Sequence, residues 1–455
     1  MLKKRPKIRL FVFLTIISCF VCGCDGKISN TKEANDTQNP NKATNETETK
    51  ENLNFRITWK AYSGRGEAIS KIVEGYNESN QTDYQVTVVD GDEDLTTIEN
   101  SLKGTTSFNQ SNESIDIYML PYRYVQYLGY RNLLGNLTDD FLVEKDYFYS
   151  NLWNLGIVDK RVYGIPWLGH TMGLIYNKDL LDKAGIDPTD ITDLDSLVLA
   201  CEKVELATDA KGIGLVGAEH NDISWMVNQF IYGFGGSLVS ADSTKVTINT
   251  PQSVAALNFY KNILGSHAQP SWKTDTGVEV MDAFRNQSIA FEIQGLWGIT
   301  DVWKSKDPFP TGVIALDDIG LYSEVGPMMV AIPKTLDENK KEAAINFIRY
   351  LISKDAQEKV MDGEYSPEHD TYYPFRLPVR KDMAESKVFA DYPEFAKFLS
   401  GFNKPSVDVP APLWQQIKDQ YYEPGLHQVM EDQISIEDFL QNIEKQGNII
   451  LNSEK

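Results

Sequence analysis

Two alternating hydrophobic periodicities, repeated along the chain, predict an α/β protein. Phe55, Ile57, Trp59 and Ala61 recur at period two, and Ile69, Ile72, Val73 and Tyr76 follow at helical spacing. Tyr84, Val86 and Val88 then mark a second strand. Ile115, Ile117 and Met119 mark a third, ahead of an apolar-faced helical stretch through Tyr127 and Leu128. Strands regularly separated by helices imply parallel pairing through right-handed crossovers. Beyond residue 53 the chain has the length of about two domains.

Ahead of the first strand lie two segments that do not belong to the fold. Lys3, Lys4, Arg5, Lys7 and Arg9 precede an uncharged, largely apolar run from Leu10 to Cys22, the layout of a secretory leader over residues 1–23. That run is shorter than the roughly 20 residues a membrane-spanning helix needs. Val21-Cys22-Gly23-Cys24 resembles the lipobox of bacterial lipoproteins, which implies that Cys24 carries the lipid and anchors the chain to a membrane. Residues 24–53 contain almost nothing apolar, so they cannot bury enough surface to offset their ordering entropy and read as a tether. Of the 4 cysteines, cleavage before Cys24 leaves only Cys24 and Cys201, so no internal disulfide is expected.

Net charge excludes some partners. The chain carries −21, and −26 once the five leader cations are removed, which argues against nucleic acid, since that needs basic patches. No metalloprotease, serine-hydrolase or phosphate-loop pattern occurs, the 5 histidines are scattered, and no cofactor is expected. Gly64-Arg65-Gly66 lacks the third glycine of a dinucleotide fingerprint and reads as a turn into a helix. Asp90-Gly-Asp92-Glu-Asp94 lacks both the turn glycine and the closing glutamate of a calcium loop.

From Tyr163 the chain reads Tyr-Gly-Ile-Pro-Trp and then Gly-Leu-Ile-Tyr-Asn-Lys-Asp-Leu-Leu-Asp-Lys-Ala-Gly185: two apolar strands broken by Pro166 and Gly169, then a polar turn into a helix. This segment resembles family 1 extracellular solute-binding proteins. The resemblance continues in order through Ser288–Trp297, Val330–Lys334, the helix from Glu342 to Ser353, Arg376–Arg380 and the region from Pro412 to Trp414. It implies a type II-like periplasmic-binding-protein fold whose two lobes are joined by a multi-segment hinge, with the ligand in the cleft between them. The expected boundaries are 54–172 and 330–364 for lobe one, and 173–329 and 365–455 for lobe two. The implied function is capture of a carbohydrate, an oligosaccharide, by a monomeric protein that delivers it to the permease of a bacterial ABC importer.

The resemblance also supplies candidate site residues. Trp297 matches the family's ligand-stacking tryptophan at a strand end, while Trp225 and Trp414 fall near two further aromatic contacts. Trp167 and His170 lie where relatives place cleft residues, and His170 replaces a carboxylate of the maltose-binding relative. In an open α/β sheet ligands sit beyond the carboxyl ends of the strands, which adds Tyr62 from the first such loop, and Tyr122 and Arg123 from the third. Trp272, in a polar loop near Asp275, is a candidate sugar clamp, and Glu292 a hydroxyl acceptor. Trp59 alternates with Phe55 and Ile57 and reads as core. A secreted carbohydrate hydrolase would need two opposed carboxyl groups, and Glu292 has no identifiable second. A binding protein reporting to a membrane sensor would share the same fold and cleft.

Overall fold

The computed structural model describes residues 50–60, 64–79, 82–104 and 114–453. Cys24 and Tyr62 lie outside the described residues. The first strand, β1 (Glu51–Arg56), begins inside the stretch read as tether and pairs in parallel with β2 (Tyr84–Val89) and β3 (Ile117–Pro121). Its early start is cooperative: Glu51 to Asn54 carry no period-two signal, yet each pairs with a residue of β2 from Tyr84 to Thr87. Further along come β4 (Ile165–Gly169), β5 (Gly173–Asn177), β6 (Lys211–Gly214), β7 (Ile289–Gln294), β8 (Thr311–Ala315), β9 (Met328–Ala331) and β10 (Leu377–Pro378).

These ten strands form two sheets. The first has the order β10-β4-β9-β3-β1-β2, and the second β8-β5-β7-β6. β1, β2 and β3 are parallel as expected, but β9 runs antiparallel to both β3 and β4, β10 to β4, and β5 to both β7 and β8. Crossover reasoning misses these pairings because they form where the chain returns from the other sheet. Pro166 does not end its strand: the missing N–H is absorbed by a register irregularity opposite Met328 and Met329. The expectation that 365–455 belongs wholly to lobe two is corrected by β10, which pairs with Leu168 and Gly169 of the first sheet. A two-residue strand containing proline offers no periodicity to read.

Local signals in the recognised segment behave as written. Asn177 caps the helix Lys178–Ala184 by accepting from the Leu180 N–H at 3.1 Å, and Gly185 ends it in the left-handed region at φ +65°. Beneath the first sheet, Phe55 packs edge-on to Phe347 and tilted against Trp167, with ring centroids 5.3 and 5.7 Å apart. Cys201 is buried on the helix Leu194–Ala207, pressed against Gly212, and its thiol is pushed well up by desolvation.

The chain passes between the sheets at residues 170–172 and 316–327, and again after β10. These passages lie side by side. Ser323 and Glu324 pair in parallel with Pro405 and Ser406, and Thr171 bridges Val325. Ser323 Oγ accepts from the Met172 N–H at 2.7 Å, and the Thr171 hydroxyl donates to the Phe398 carbonyl.

One glycine sets the turn out of the helix that precedes β10. Gly363 follows the helix Lys354–Asp362 with φ +86° and ψ −157°, and a Cβ there would lie 1.9 Å from the Tyr373 carbonyl oxygen. Gly363→Ala is expected to cost at least about 2 kcal/mol, the scale of a side chain forced into a glycine-only conformation, measured as a shift in the urea unfolding midpoint.

Candidate functional site

The carboxyl ends of β1, β3 and β4 and the amino ends of β9 and β10 all lie along one edge of the first sheet, because β9 and β10 run opposite to the others. That edge presents Trp59 and Arg65 after β1, His170 after β4, Glu324 ahead of β9, and Arg376 ahead of β10. The second sheet turns the carboxyl end of β7 toward it. There Gly295 opens the helix Leu296–Lys304, which places Trp297 in the first turn.

Side chains from the two edges meet at Trp297. The Arg376 guanidinium lies over its ring at 4.7 Å, and the His170 ring stands edge-on at 5.2 Å. Arg376 also covers Trp59 at 5.2 Å, and Arg65 lies 5.6 Å from the same ring. His170 Nε2 is 2.8 Å from Glu324 Oε2, while its buried Nδ1 has no partner among the described residues. Farther along the cleft, Lys304 forms an ion pair with Glu364, whose other oxygen is 3.9 Å from Arg65. Burial, followed by repulsion from Arg65, pushes Arg376 down to about 9, so it is still a cation at neutral pH.

The remaining candidates fall into different surroundings. Arg123 pairs with Glu93 at 2.9 Å and lies over Tyr124, while Tyr122 is buried and its hydroxyl accepts from the Val409 N–H at 3.0 Å. Trp225 is buried on the helix Asn221–Gly233, its indole N–H donating to Asp222 at 3.2 Å. Trp414 is fully buried with its ring edge-on to Tyr422, and its indole N–H has no partner among the described residues. The segment holding Trp414 is fastened to that helix by Lys418, which is bonded to Asp408 and to Asn221 Oδ1.

Trp167, Trp272 and Glu292 lie away from this meeting point. Trp167 points into the core against Phe55, because strand alternation turns it away from the edge that His170 reaches. Trp272 is buried against Tyr260 and Gly265, a packing anchor, and Asp275 beside it accepts from Ser271 and Gln269. Glu292 is fully buried beneath Gly298, with neither carboxylate oxygen hydrogen-bonded among the described residues. Desolvation and then the nearby Asp301 raise it well above the ordinary carboxylate range, which favours the protonated carboxyl.

Sequence reasoning placed the loop from Tyr62 to Gly66 among the candidates without naming Arg65, assigned Trp59 to the core, and did not single out Arg376 or Glu324. β1 ends at Arg56, and Asn54, Arg56 and Thr58 are as buried as Leu53, Phe55 and Ile57, so the alternation that assigned Trp59 to the core does not extend to it. Arg376 lies in a quoted family segment, but nothing local sets it apart among 44 basic residues.

Two sheets with their ligand-facing edges turned toward each other across a hinge of several chain passages define a two-lobe solute-binding protein. The profile of bacterial extracellular solute-binding proteins matches residues 71–397, and the chain belongs to that family. It is 23% identical over 290 residues to a binding protein of Brucella abortus (strain 2308), a match covering 63% of this chain and 66% of that relative. It is also 23% identical over 225 residues to the multiple sugar-binding protein of Streptococcus mutans, covering 46% and 52%. Among solved structures, maltose-bound MalE3 of T. maritima superposes with a TM-score of 0.72 at 21% identity, over 87% of this chain and 98% of that one. The GacH receptor of Streptomyces glaucescens, solved unliganded and with acarbose, gives 0.73 at 19%, over 89% and 100%.

Glu292 yields a pH prediction. Below the unfolded carboxylate value of about 4.3 both states hold the proton; between that value and the raised folded-state value only the folded state does, so stability falls as pH rises through that window. Glu292→Gln should equal the parent near pH 4 and exceed it by up to about 1.4 kcal/mol per pH unit above that, read by urea unfolding across pH 4–8.

Proposed function

We propose that this protein captures a carbohydrate, an oligosaccharide, by closing its two lobes around it, and presents the closed form to the permease of a bacterial ABC importer. The observation that carries this reading is Trp297, whose ring projects from one lobe toward Trp59, His170 and Arg376 of the other. Sugars offer apolar C–H faces to aromatic planes and hydroxyls to polar side chains, and the cleft supplies both kinds of group from opposite walls. Hinge closure then converts occupancy into a shape that a membrane partner can read.

Binding without turnover fits the same residues. A hydrolase needs two carboxyl groups flanking the glycosidic bond. Glu292 is interior with its protonated form favoured, and Glu324 is engaged by His170. The leader and lipobox support an extracellular protein held at the membrane by lipid on Cys24. Among the described residues no helix is long and apolar enough to cross a membrane. Replacing Cys24 by Ala should release the protein into the medium, seen by fractionating cells and culture supernatant.

Tryptophan fluorescence and thermal melting against mono- and oligosaccharides test the proposal. A sugar-dependent shift is expected, and Trp297→Ala should weaken binding about 30-fold or more, as for truncation of an aromatic anchor worth about 2 kcal/mol. Chromatography of the sugar after incubation should return it intact; its disappearance would replace the transport reading by a hydrolase.

A further inference from the structure

Arg376 is a buried cation whose own protein does not complete its surroundings. It is 7% exposed, its one resolved hydrogen bond runs from Nη1 to the carbonyl of the preceding residue, Phe375, at 3.0 Å, and Nε has no partner. Among the described residues no carboxylate lies within 4 Å of it. Glu324 is taken by His170, and Glu93 by Arg123. The faces of Trp59 and Trp297 recover part of the lost hydration, but two cation–π contacts are weaker than the several kcal/mol that burying an ion costs.

Charge around it is lopsided in the same direction. Arg65, Lys304 and Arg376 converge on the cleft; among the described residues Glu364 is the acidic group within 4 Å of the first two, with Asp301, paired with Arg285, farther off, in a chain whose net charge is −21. Three cations gathered in the cleft of a strongly acidic protein are matched to a negative charge arriving there. A guanidinium held against two tryptophan faces at the cleft, with its Nε unpartnered among the described residues, also has the planar fork that bonds two oxygens of an anionic group.

We propose that the cargo is an acidic carbohydrate, one bearing a carboxylate or a phosphate ester, and that Arg376 receives the anionic group, with Arg65 as the second cation. This rests on the carbohydrate reading above and narrows it.

Matched pairs provide the test, titrated calorimetrically against the full chain: an oligosaccharide ending in glucuronate against the same oligosaccharide ending in glucose, and a sugar phosphate against the free sugar. The acidic member of at least one pair is expected to bind at least tenfold tighter, with a gap that shrinks as salt rises; which pair shows it separates carboxylate from phosphate. Arg376→Gln should reduce the gap below about threefold and Arg376→Lys should keep part of it, while Trp297→Ala weakens both members together. Removing an unpaired buried charge should also leave the ligand-free Arg376→Gln protein melting no lower than the parent; a lower melting point would assign the arginine to structure and overturn the inference. Should that variant fail to fold, the parent's acidic-to-neutral ratio and its loss in Arg65→Gln still decide. Neutral members binding as tightly as acidic ones would overturn the inference and leave the carbohydrate reading intact. Binding of neither kind would overturn both.

Discussion

The side-by-side passage of the chain between its two sheets is the constraint on which the site depends. Thr171 bridging Val325, Ser323 holding the Met172 N–H, and the pairing of Ser323 and Glu324 with Pro405 and Ser406 fasten the crossings into one narrow band. A single linker would let the lobes take many orientations, whereas a hydrogen-bonded band leaves mainly rotation about itself. His170 and Glu324 lie in this band or at its border. Their 2.8 Å contact therefore belongs both to the hinge and to the cleft it opens onto.

Polar groups are distributed between the walls in two contrasting ways. Around Lys418 the buried charge is answered: Asp408, Asn221 and Glu423 surround it, and Tyr422 and Asn228 extend the network. A satisfied network of that kind rigidifies, and it joins the C-terminal segment to the helix Asn221–Gly233. Around Arg376 and the Nδ1 of His170 the accounting is left open. Completed polarity holds the C-terminal segment in place, while at the meeting point of the lobes the Nδ1 of His170 and the Nε of Arg376 are left without a partner among the described residues.

How much of this was legible in the sequence follows from the range of each signal. The alternation around β2 and β3 and the polar turn into the helix Lys178–Ala184 are local, and those elements appear near where the residues put them, whereas β1 lies ahead of its alternation. Trp297 was singled out because the strand end and Gly295 before it resemble the family's segment, and it stands in the first turn of the helix that Gly295 opens. The antiparallel returns of β9 and β10 were not, since strand direction there is decided by pairing across more than a hundred residues of chain. Trp167 lies in the core instead of the cleft, and Trp59 is half-buried, packed against the core through Phe375 while Arg65 and Arg376 lie over its ring. Alternation says which residues share a face, but not where the strand ends, and the end decides whether a tryptophan faces the core or the cleft. Arg376 was invisible because its significance lies in what does not surround it.

The ion pair of Lys304 with Glu364, and any contact like it, is made by protein groups alone, from one wall to the other. In population terms such contacts set the fraction of molecules already shut before cargo arrives, and apparent affinity is the intrinsic affinity scaled by that fraction. Contacts of this kind act on every cargo equally, as a common gain control, whereas selectivity resides only in groups that touch the solute. Affinity and selectivity can therefore drift independently in this protein, one by changes along the line from Lys304 to Glu364, the other by changes among the aromatic and cationic groups beside it.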